Sequence, residues 1–202
     1  LTIADADVEK GSITLVVQAV GESSSKICAL NPGDYLTDVV GPLGRATHIE
    51  KVGTVVCCGG GVGVAPLLPI IKAMKEAGNR VISVLAARSK DLIILEDQVR
   101  SYSDEVIIMT DDGSYGRQGL VTNGVEEVIQ REKVDQVVTI GPGIMMKFVS
   151  LLTKKYEVPT VCSLNTIMVD GTGMCGACRI TVGGKTRFVC IDGPEFDAHQ
   201  VD

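Results

Sequence analysis

Gly59-Gly60-Gly61-Val62-Gly63 follows directly on Val52–Cys58, an apolar run that reads as a buried strand. Shortly after it comes Leu67–Ala77, a stretch with helical spacing closed by Gly78-Asn79. A glycine cluster between a strand and a helix leaves the backbone bare at the turn, so a pyrophosphate can approach the N–H groups of the helix start. The downstream sequence keeps the same alternation. Strands are expected at Val81–Leu85, Glu105–Met109, Gln136–Ile140 and Thr160–Ser163, and helices near Leu92–Val99, Gly119–Gln130 and Gly143–Leu152. Strands alternating with helices predict an α/β fold, with a parallel sheet covered on both faces. Leucines and valines at helical period would also suit a bundle, but β-branched runs bounded by glycine favour the sheet.

In an open α/β sheet, ligands bind beyond the carboxyl ends of the strands. Three loops fall at such ends. They are the glycine loop with Gly60, Gly61, Val62, Gly63, Ala65 and Pro66; the turn Thr110, Asp111, Asp112, Gly113, continuing through Ser114 and Tyr115 to Gly116; and the segment from Gly141 and Pro142 to Met145 and Met146. Arg88 and Lys90, after the second strand, are within reach of a ribose or its phosphate, or else are a solvated helix start. The spacing departs from the standard dinucleotide fingerprint. Ala86-Ala87-Arg88 stands where an acidic residue would meet the ribose, so a tight strand–helix turn without a ligand remains an open reading.

The two flanks differ from this middle. Residues 11–50 read as short strands, with runs at Ile13–Val17 and Tyr35–Val40, a serine interruption at Ser23-Ser24-Ser25, and the turn sequences Asn31-Pro32-Gly33-Asp34 and Gly41-Pro42-Leu43-Gly44; together they suggest part of a small barrel. Residues 164–202 are turn-rich. Brief strands at Arg179–Val182 and Thr186–Val189 are joined by Gly183-Gly184, and the segment reads as a small appended metal-binding domain.

Of the seven cysteines, Cys175, Cys178 and Cys190 crowd this last segment. An odd count so distributed fits a reducing, cytoplasmic setting and a metal site better than a disulfide framework. Cys175-Gly176-Ala177-Cys178 with Cys190 supplies three thiolates. Plant-type binuclear clusters take a fourth ligand with four residues intervening before the CxxC pair, and that position is Asp170. The candidate ligand set is therefore Asp170, Cys175, Cys178 and Cys190. A zinc ion on the same donors, His199 as the fourth ligand, and a redox-active CxxC pair are the alternatives. Cys28, Cys57, Cys58 and Cys162 read as small buried hydrophobes.

The net charge of -6 argues against a nucleic-acid partner, and 3% aromatic content without Trp argues against base-stacking platforms. No apolar run reaches the roughly 18 residues of a membrane span, and no secretory signal is visible.

Taken together, the glycine loop, the two later loops and the Asp170–Cys178 segment resemble the small flavoprotein subunits of NADH-dependent ferredoxin:NADP oxidoreductases of the electron-bifurcating type. That family is close to sulfide dehydrogenase and dihydroorotate dehydrogenase electron-transfer subunits, within the ferredoxin-reductase-like superfamily. Gly59–Pro66 is similar to its Gly-Gly-Gly-x-Gly-x-Ala-Pro nicotinamide loop, and Asp192–Asp197 continues the likeness. The resemblance implies a FAD-binding barrel within residues 1–50, an NAD(P)-binding domain over 51–163 and a [2Fe-2S] domain over 164–202. It places Thr2 beside the isoalloxazine and Gly21–Ser25, including Ser24 and Ser25, as a loop at the FAD pyrophosphate. It implies an oxidoreductase subunit that takes a hydride from NAD(H), with NADP(H) possible, through FAD to the cluster, and then to a larger flavin/iron–sulfur partner subunit. No protein acid or base is needed, so no catalytic side chain is expected. Asp170 in place of the usual first Cys points to the transhydrogenase-type subunit. The dihydroorotate dehydrogenase subunit, and the input subunit of a hydrogenase or sulfur reductase, are the alternatives.

Overall fold

The computed structural model describes residues 1–202. The chain opens with an antiparallel hairpin, β1 (Ile3–Asp7) and β2 (Ser12–Leu15), followed by a short helix α1 (Glu22–Cys28). Residues 29–53 contain no strand or helix. The strand expected at Tyr35–Val40 does not form. That stretch has no neighbouring strand to pair with, and Tyr35, Val39 and Val40 are exposed. The serine run is likewise a helix start rather than a loop. The Ser24 hydroxyl accepts the N–H groups of Val20 and Gly21, each at 3.0 Å, which closes the first turn of α1.

From Thr54 the alternation expected of a doubly wound sheet is present. β3 (Thr54–Gly60) leads through a 3-10 turn into α2 (Val64–Glu76), then β4 (Arg80–Ala87), α3 (Glu96–Tyr102), β5 (Glu105–Thr110), the two-residue β6 (Arg117–Gln118), α4 (Val121–Arg131), β7 (Gln136–Ile140), α5 (Gly143–Lys155) and β8 (Thr160–Ser163). The helix expected over Leu92–Val99 is divided into a 3-10 turn at Lys90–Leu92 and α3. Between them Leu95 is left-handed at φ 57°, its side chain packed against the core around α2. β9 (Arg179–Val182) and β10 (Lys185–Phe188) form a hairpin through Gly183 and Gly184, both at positive φ as a two-residue turn requires. A single helical turn α6 (Val189–Asp192) follows, and then β11 (Glu195–Asp197).

The main sheet has the order β11-β8-β7-β3-β4-β5-β6, parallel except for β11, which runs antiparallel along β8. β3 lies at its centre, between β4 and β7. Its side chains alternate between faces: Val55 and Cys57 enter the core under α2 and α3, and Val56 and Cys58 enter the core under α4 and α5. This is why the segment reads as an unbroken apolar run. The chain winds outward from β3 to β4 and β5, then returns to the other side through β7 and β8. The winding therefore reverses between β3 and β7, and sheets of this kind receive ligands in the crevice at the carboxyl ends of such a switch point. β11 ties the cysteine-rich segment to this sheet, with Phe196 opposite Cys162. No helix is long and apolar enough to cross a membrane.

Candidate functional site

The glycine loop and the Gly141-Pro142 loop meet at this switch point. Gly60 ends β3. A side chain there would collide with the Met145 sulfur and approach Pro142 Cδ to 3.3 Å. A Cβ on Gly63 would sit 2.6 Å from the Ile140 carbonyl oxygen and 2.7 Å from Gly141 Cα. Glycine is therefore required at Gly63 by the close approach of two backbones, even though its own φ is an ordinary helical −63°. Gly61, at φ 55°, turns the chain into the 3-10 turn. No side chain caps α2; the 3-10 turn leads straight into it, with the Val64 N–H bonded back to the Gly61 carbonyl, so the start of the helix carries no side-chain acceptor. Ala65 is buried under this turn, Pro66 is half-buried and Val62 is exposed at the rim. Met145, on the first turn of α5, lies over both Gly60 and Gly141 and walls the crevice on the β7 side.

The other predicted nucleotide residues lie further along the same sheet edge. Thr110 is fully buried. Its hydroxyl donates to the Tyr115 carbonyl at 2.6 Å and accepts the Tyr115 N–H at 3.2 Å, so it shapes the loop rather than facing a ligand. Asp111, Asp112 and Gly113 are exposed at the turn. The Ser114 hydroxyl, and after it the Ser114 N–H, hold the Asp112 carboxyl below its ordinary value. Asp111 N–H donates to the Ala87 carbonyl and Asp112 N–H to that of Arg88, which fastens the loops after β4 and β5 together. Lys90 is engaged, with its N–H on the Ser114 hydroxyl and its ammonium 5.2 Å from the centre of the Tyr115 ring. Arg88 is exposed and makes no ion pair, so it alone of this basic pair is free at the edge. Ser114 and Tyr115, which lie within the loop expected from the sequence, hold it in shape, the Tyr115 hydroxyl donating to Glu96 at 3.0 Å.

Thr2, Gly21 and Ser25 are exposed and Ser24 is partly so, and no hydrogen bond joins any of them to the crevice. Gly21 caps α1 in extended conformation, so the 21–25 segment presents a helix start and not the expected loop.

In the cysteine-rich segment Asp170 folds back on its own loop. Its two carboxylate oxygens accept the N–H groups of Thr172 and Cys175, both at 2.7 Å. These bonds, that from Thr172 foremost, hold its carboxyl below the ordinary range, so it is a carboxylate at neutral pH. Cys178 and Cys190 are buried with their sulfurs 3.2 Å apart. In this pair Cys178 is the more acidic thiol, held low by the backbone N–H of Cys190, and Cys190 is pushed up by the neighbouring sulfur. Cys175 is exposed, its sulfur accepting the Ala177 N–H at 3.4 Å. No three of these donors converge on one point as a mononuclear ion would require. A binuclear cluster divides its ligands between two irons, and one carboxylate and three thiols on a glycine-rich loop suit it chemically. His199 is elsewhere, its ring nitrogen 3.0 Å from the Thr153 hydroxyl on α5, so it is no partner for these cysteines. Cys57, Cys58 and Cys162 are buried strand residues, whereas Cys28, expected to be buried with them, is exposed at the end of α1, which buries no residue, with its thiol 3.5 Å from the Val17 carbonyl. Burial pushes Cys58 up to about 12 and Cys162 to about 11, and both are inert thiols at neutral pH.

The fold and these two sites define a class, the NAD-binding, iron–sulfur electron-transfer proteins built on a ferredoxin-reductase-like sheet. Residues 57–151 match the family model described as an oxidoreductase NAD-binding domain, and residues 165–202 match that of the iron–sulfur cluster binding domain of dihydroorotate dehydrogenase B. A Thermotoga maritima protein named as a dihydroorotate dehydrogenase B (NAD+) electron transfer subunit homolog is 49% identical, over 100% of this chain and 71% of its own length. A probable subunit of that name from Methanocaldococcus jannaschii is 36% identical, over 89% of this chain and 68% of its own. A chain in a solved structure of an NADH-dependent reduced ferredoxin-NADP oxidoreductase, described for flavin-based electron bifurcation, superposes with a TM-score of 0.95. It is 46% identical, over 100% of this chain and 72% of that one. The chain belongs to the family of dihydroorotate dehydrogenase B-type electron-transfer subunits, and it is an oxidoreductase subunit with an NAD-binding and an iron–sulfur binding part.

Proposed function

We propose that this chain is the NAD(H)-linked electron-transfer subunit of an NADH-dependent ferredoxin:NADP oxidoreductase-type complex, located in the cytoplasm and working with a larger flavin- and iron–sulfur-containing subunit. The observation that carries the choice is Asp170. A carboxylate, ionised and hydrogen-bonded to Thr172 and Cys175, stands where the cluster segment would otherwise supply its first thiolate. The TM-score of 0.95 with a chain of such an oxidoreductase supports the same reading.

On this reading residues 1–50 belong to a FAD-binding barrel, 51–163 bind the nicotinamide cofactor and 164–202 hold the cluster. The pyrophosphate of NAD(H) lies on the uncapped start of α2, between Gly60, Gly61 and Gly63 on one side and Gly141 and Pro142 on the other, while Met145 keeps water from that wall. Arg88 contacts the ribose end, beside the loop of Asp111–Gly113. Thr2 and the 21–25 segment face the flavin. Bound there, FAD would supply a two-electron acceptor for the hydride, and a [2Fe-2S] cluster on Asp170, Cys175, Cys178 and Cys190 a one-electron acceptor. NADH gives up the hydride and leaves as NAD+, and no protein proton donor is required. The chain's task is to orient the nicotinamide and hold the cluster loop.

A second reading, the electron-transfer subunit of a dihydroorotate dehydrogenase, is favoured by the family model over 165–202 and the name of the Thermotoga relative. Anaerobic purification of the complex from its host, with partners identified by mass, separates the two. A larger flavin/iron–sulfur subunit, with NADH, NADP and ferredoxin as substrates, supports the first. A dihydroorotate-oxidising subunit supports the second and removes the argument from Asp170.

A further inference from the structure

Residues 43–47 belong to the stretch without helix or strand that precedes the main sheet, yet their hydrogen bonds and ion pair run to the far end of the chain. Thr47 Oγ1 donates to Glu195 Oε1 at 2.5 Å in a partly buried setting, across 148 residues of sequence. Arg45 N–H donates to the Gly193 carbonyl at 2.7 Å, and the Arg45 guanidinium lies 3.6 Å from Asp192. A Cβ on Gly44 would come within 2.6 Å of the Gly193 carbonyl oxygen, and one on Gly171 within 2.7 Å of Leu43 Cδ1. The segment thus touches the cysteine-rich region at Gly171, next to Asp170, and again at 192–195, just beyond Cys190. Glu195 itself is fixed in β11, opposite Ser163 of β8, so this end of the contact is anchored in the main sheet.

We propose that residues 43–47 are a strap that sets the cluster loop against the flavin-side segment, with Thr47 and Glu195 as its pin and as positioning residues for electron transfer to the cluster. This rests on the reading that 164–202 holds a [2Fe-2S] cluster and that residues 1–50 face the flavin. The pin suits the task. A hydroxyl donating to a carboxyl oxygen fixes both partners, and 2.5 Å lies at the short end of the range for such a bond. The strap bears on both flanks of the ligand set, so a shift of its backbone moves Asp170 and Cys190 together. It touches neither Gly60, Gly63 nor Gly141, so hydride transfer at the crevice is independent of it.

The test uses the full-length, flavin- and cluster-loaded protein in its complex, mixed with NADH in a stopped-flow instrument. Flavin bleaching reports hydride transfer, and cluster absorbance with low-temperature EPR reports cluster reduction. Thr47→Val is expected to leave the first phase at the wild-type rate and to slow cluster reduction about tenfold, as misplacement of a reacting centre does. It should also speed amide exchange over residues 171–176. Thr47→Ser and Glu195→Gln retain donor and acceptor and are expected to match wild type in both phases. If Thr47→Val does not accumulate, Gly44→Ala, whose methyl presses on the Gly193 carbonyl, is expected to give the same split. Wild-type cluster reduction in either variant, or equal slowing of both phases, overturns the strap. A wild-type protein with no cluster signal overturns the cluster reading instead, and is recognised before any variant is compared.

Discussion

At the scale of single residues, the nucleotide crevice turns on what is missing from glycine. Gly63 has helical dihedrals, and only the carbonyl of Ile140 and the backbone of Gly141 forbid a methyl there. Those atoms belong to the end of β7 and cannot yield without moving the sheet. Gly63→Ala should cost about 1–3 kcal/mol of stability, the usual cost of overpacking, and weaken NADH binding. Urea denaturation and an NADH titration check this, and wild-type values in both would contradict the crevice. Gly61 differs. A methyl there meets nothing within 4 Å, and only its φ of 55° is at stake, so Gly61→Ala should cost no more than about 1–2 kcal/mol. Asp170 offers the second residue-scale test. Asp170→Cys should retain the cluster with a changed reduction potential and EPR spectrum, because ligand identity and charge set both. Asp170→Ala should lower iron content. An unchanged spectrum in the cysteine variant would remove Asp170 from the ligand set. Both candidates could be singled out because each rests on a local spacing: strand–glycine–helix for one, CxxC with its upstream position for the other. The bonds that fasten the loop after β5 to the loop after β4 could not, since no local pattern encodes which loops meet.

At the scale of elements, strands buried on both faces were the most readable. Gln136–Ile140 and Thr160–Ser163 begin and end as their β-branched runs suggest. Failures occur where an element depends on distant partners. Tyr35–Val40 has strand composition but no strand beside it. β11 has only three residues, and its existence is decided by the free edge of β8. Leu95 breaks an otherwise helical run because its side chain is drawn into the core under α2. That core sets a stability test. Leu67 of α2 is fully buried, and Leu67→Ala should cost about 2–5 kcal/mol in urea unfolding. The pairing of β11 sets a test of pH. Burial raises the Glu195 carboxyl above its ordinary value, and the Thr47 hydroxyl only partly offsets this. The folded state therefore holds this proton to higher pH than the unfolded chain does. Stability from this group is full below the ordinary glutamate value and is lost as pH rises through the raised folded value. Glu195→Gln should abolish that decline while keeping the acceptor for Thr47. Urea midpoints at weakly acidic and neutral pH decide it, and equal slopes for variant and wild type would contradict the assignment.

At the scale of the whole molecule, one sheet places the crevice at the β3–β7 reversal, and β11 brings the cysteine-rich segment onto the same sheet. The proposed nicotinamide site and cluster loop are thereby parts of one framework, which suits the proposed passage of electrons from one to the other. The alternation of strands and helices made this architecture legible. The route by which 192–195 returns to the sheet was not, because the antiparallel pairing of three residues carries almost no sequence signal. The most direct test of the central claim is iron and acid-labile sulfide analysis of the anaerobically purified protein, with EPR after addition of NADH. The account predicts iron and sulfide in equal amounts and an NADH-dependent signal of a reduced binuclear cluster. Zinc on these cysteines without sulfide, and no EPR signal with NADH, would contradict it.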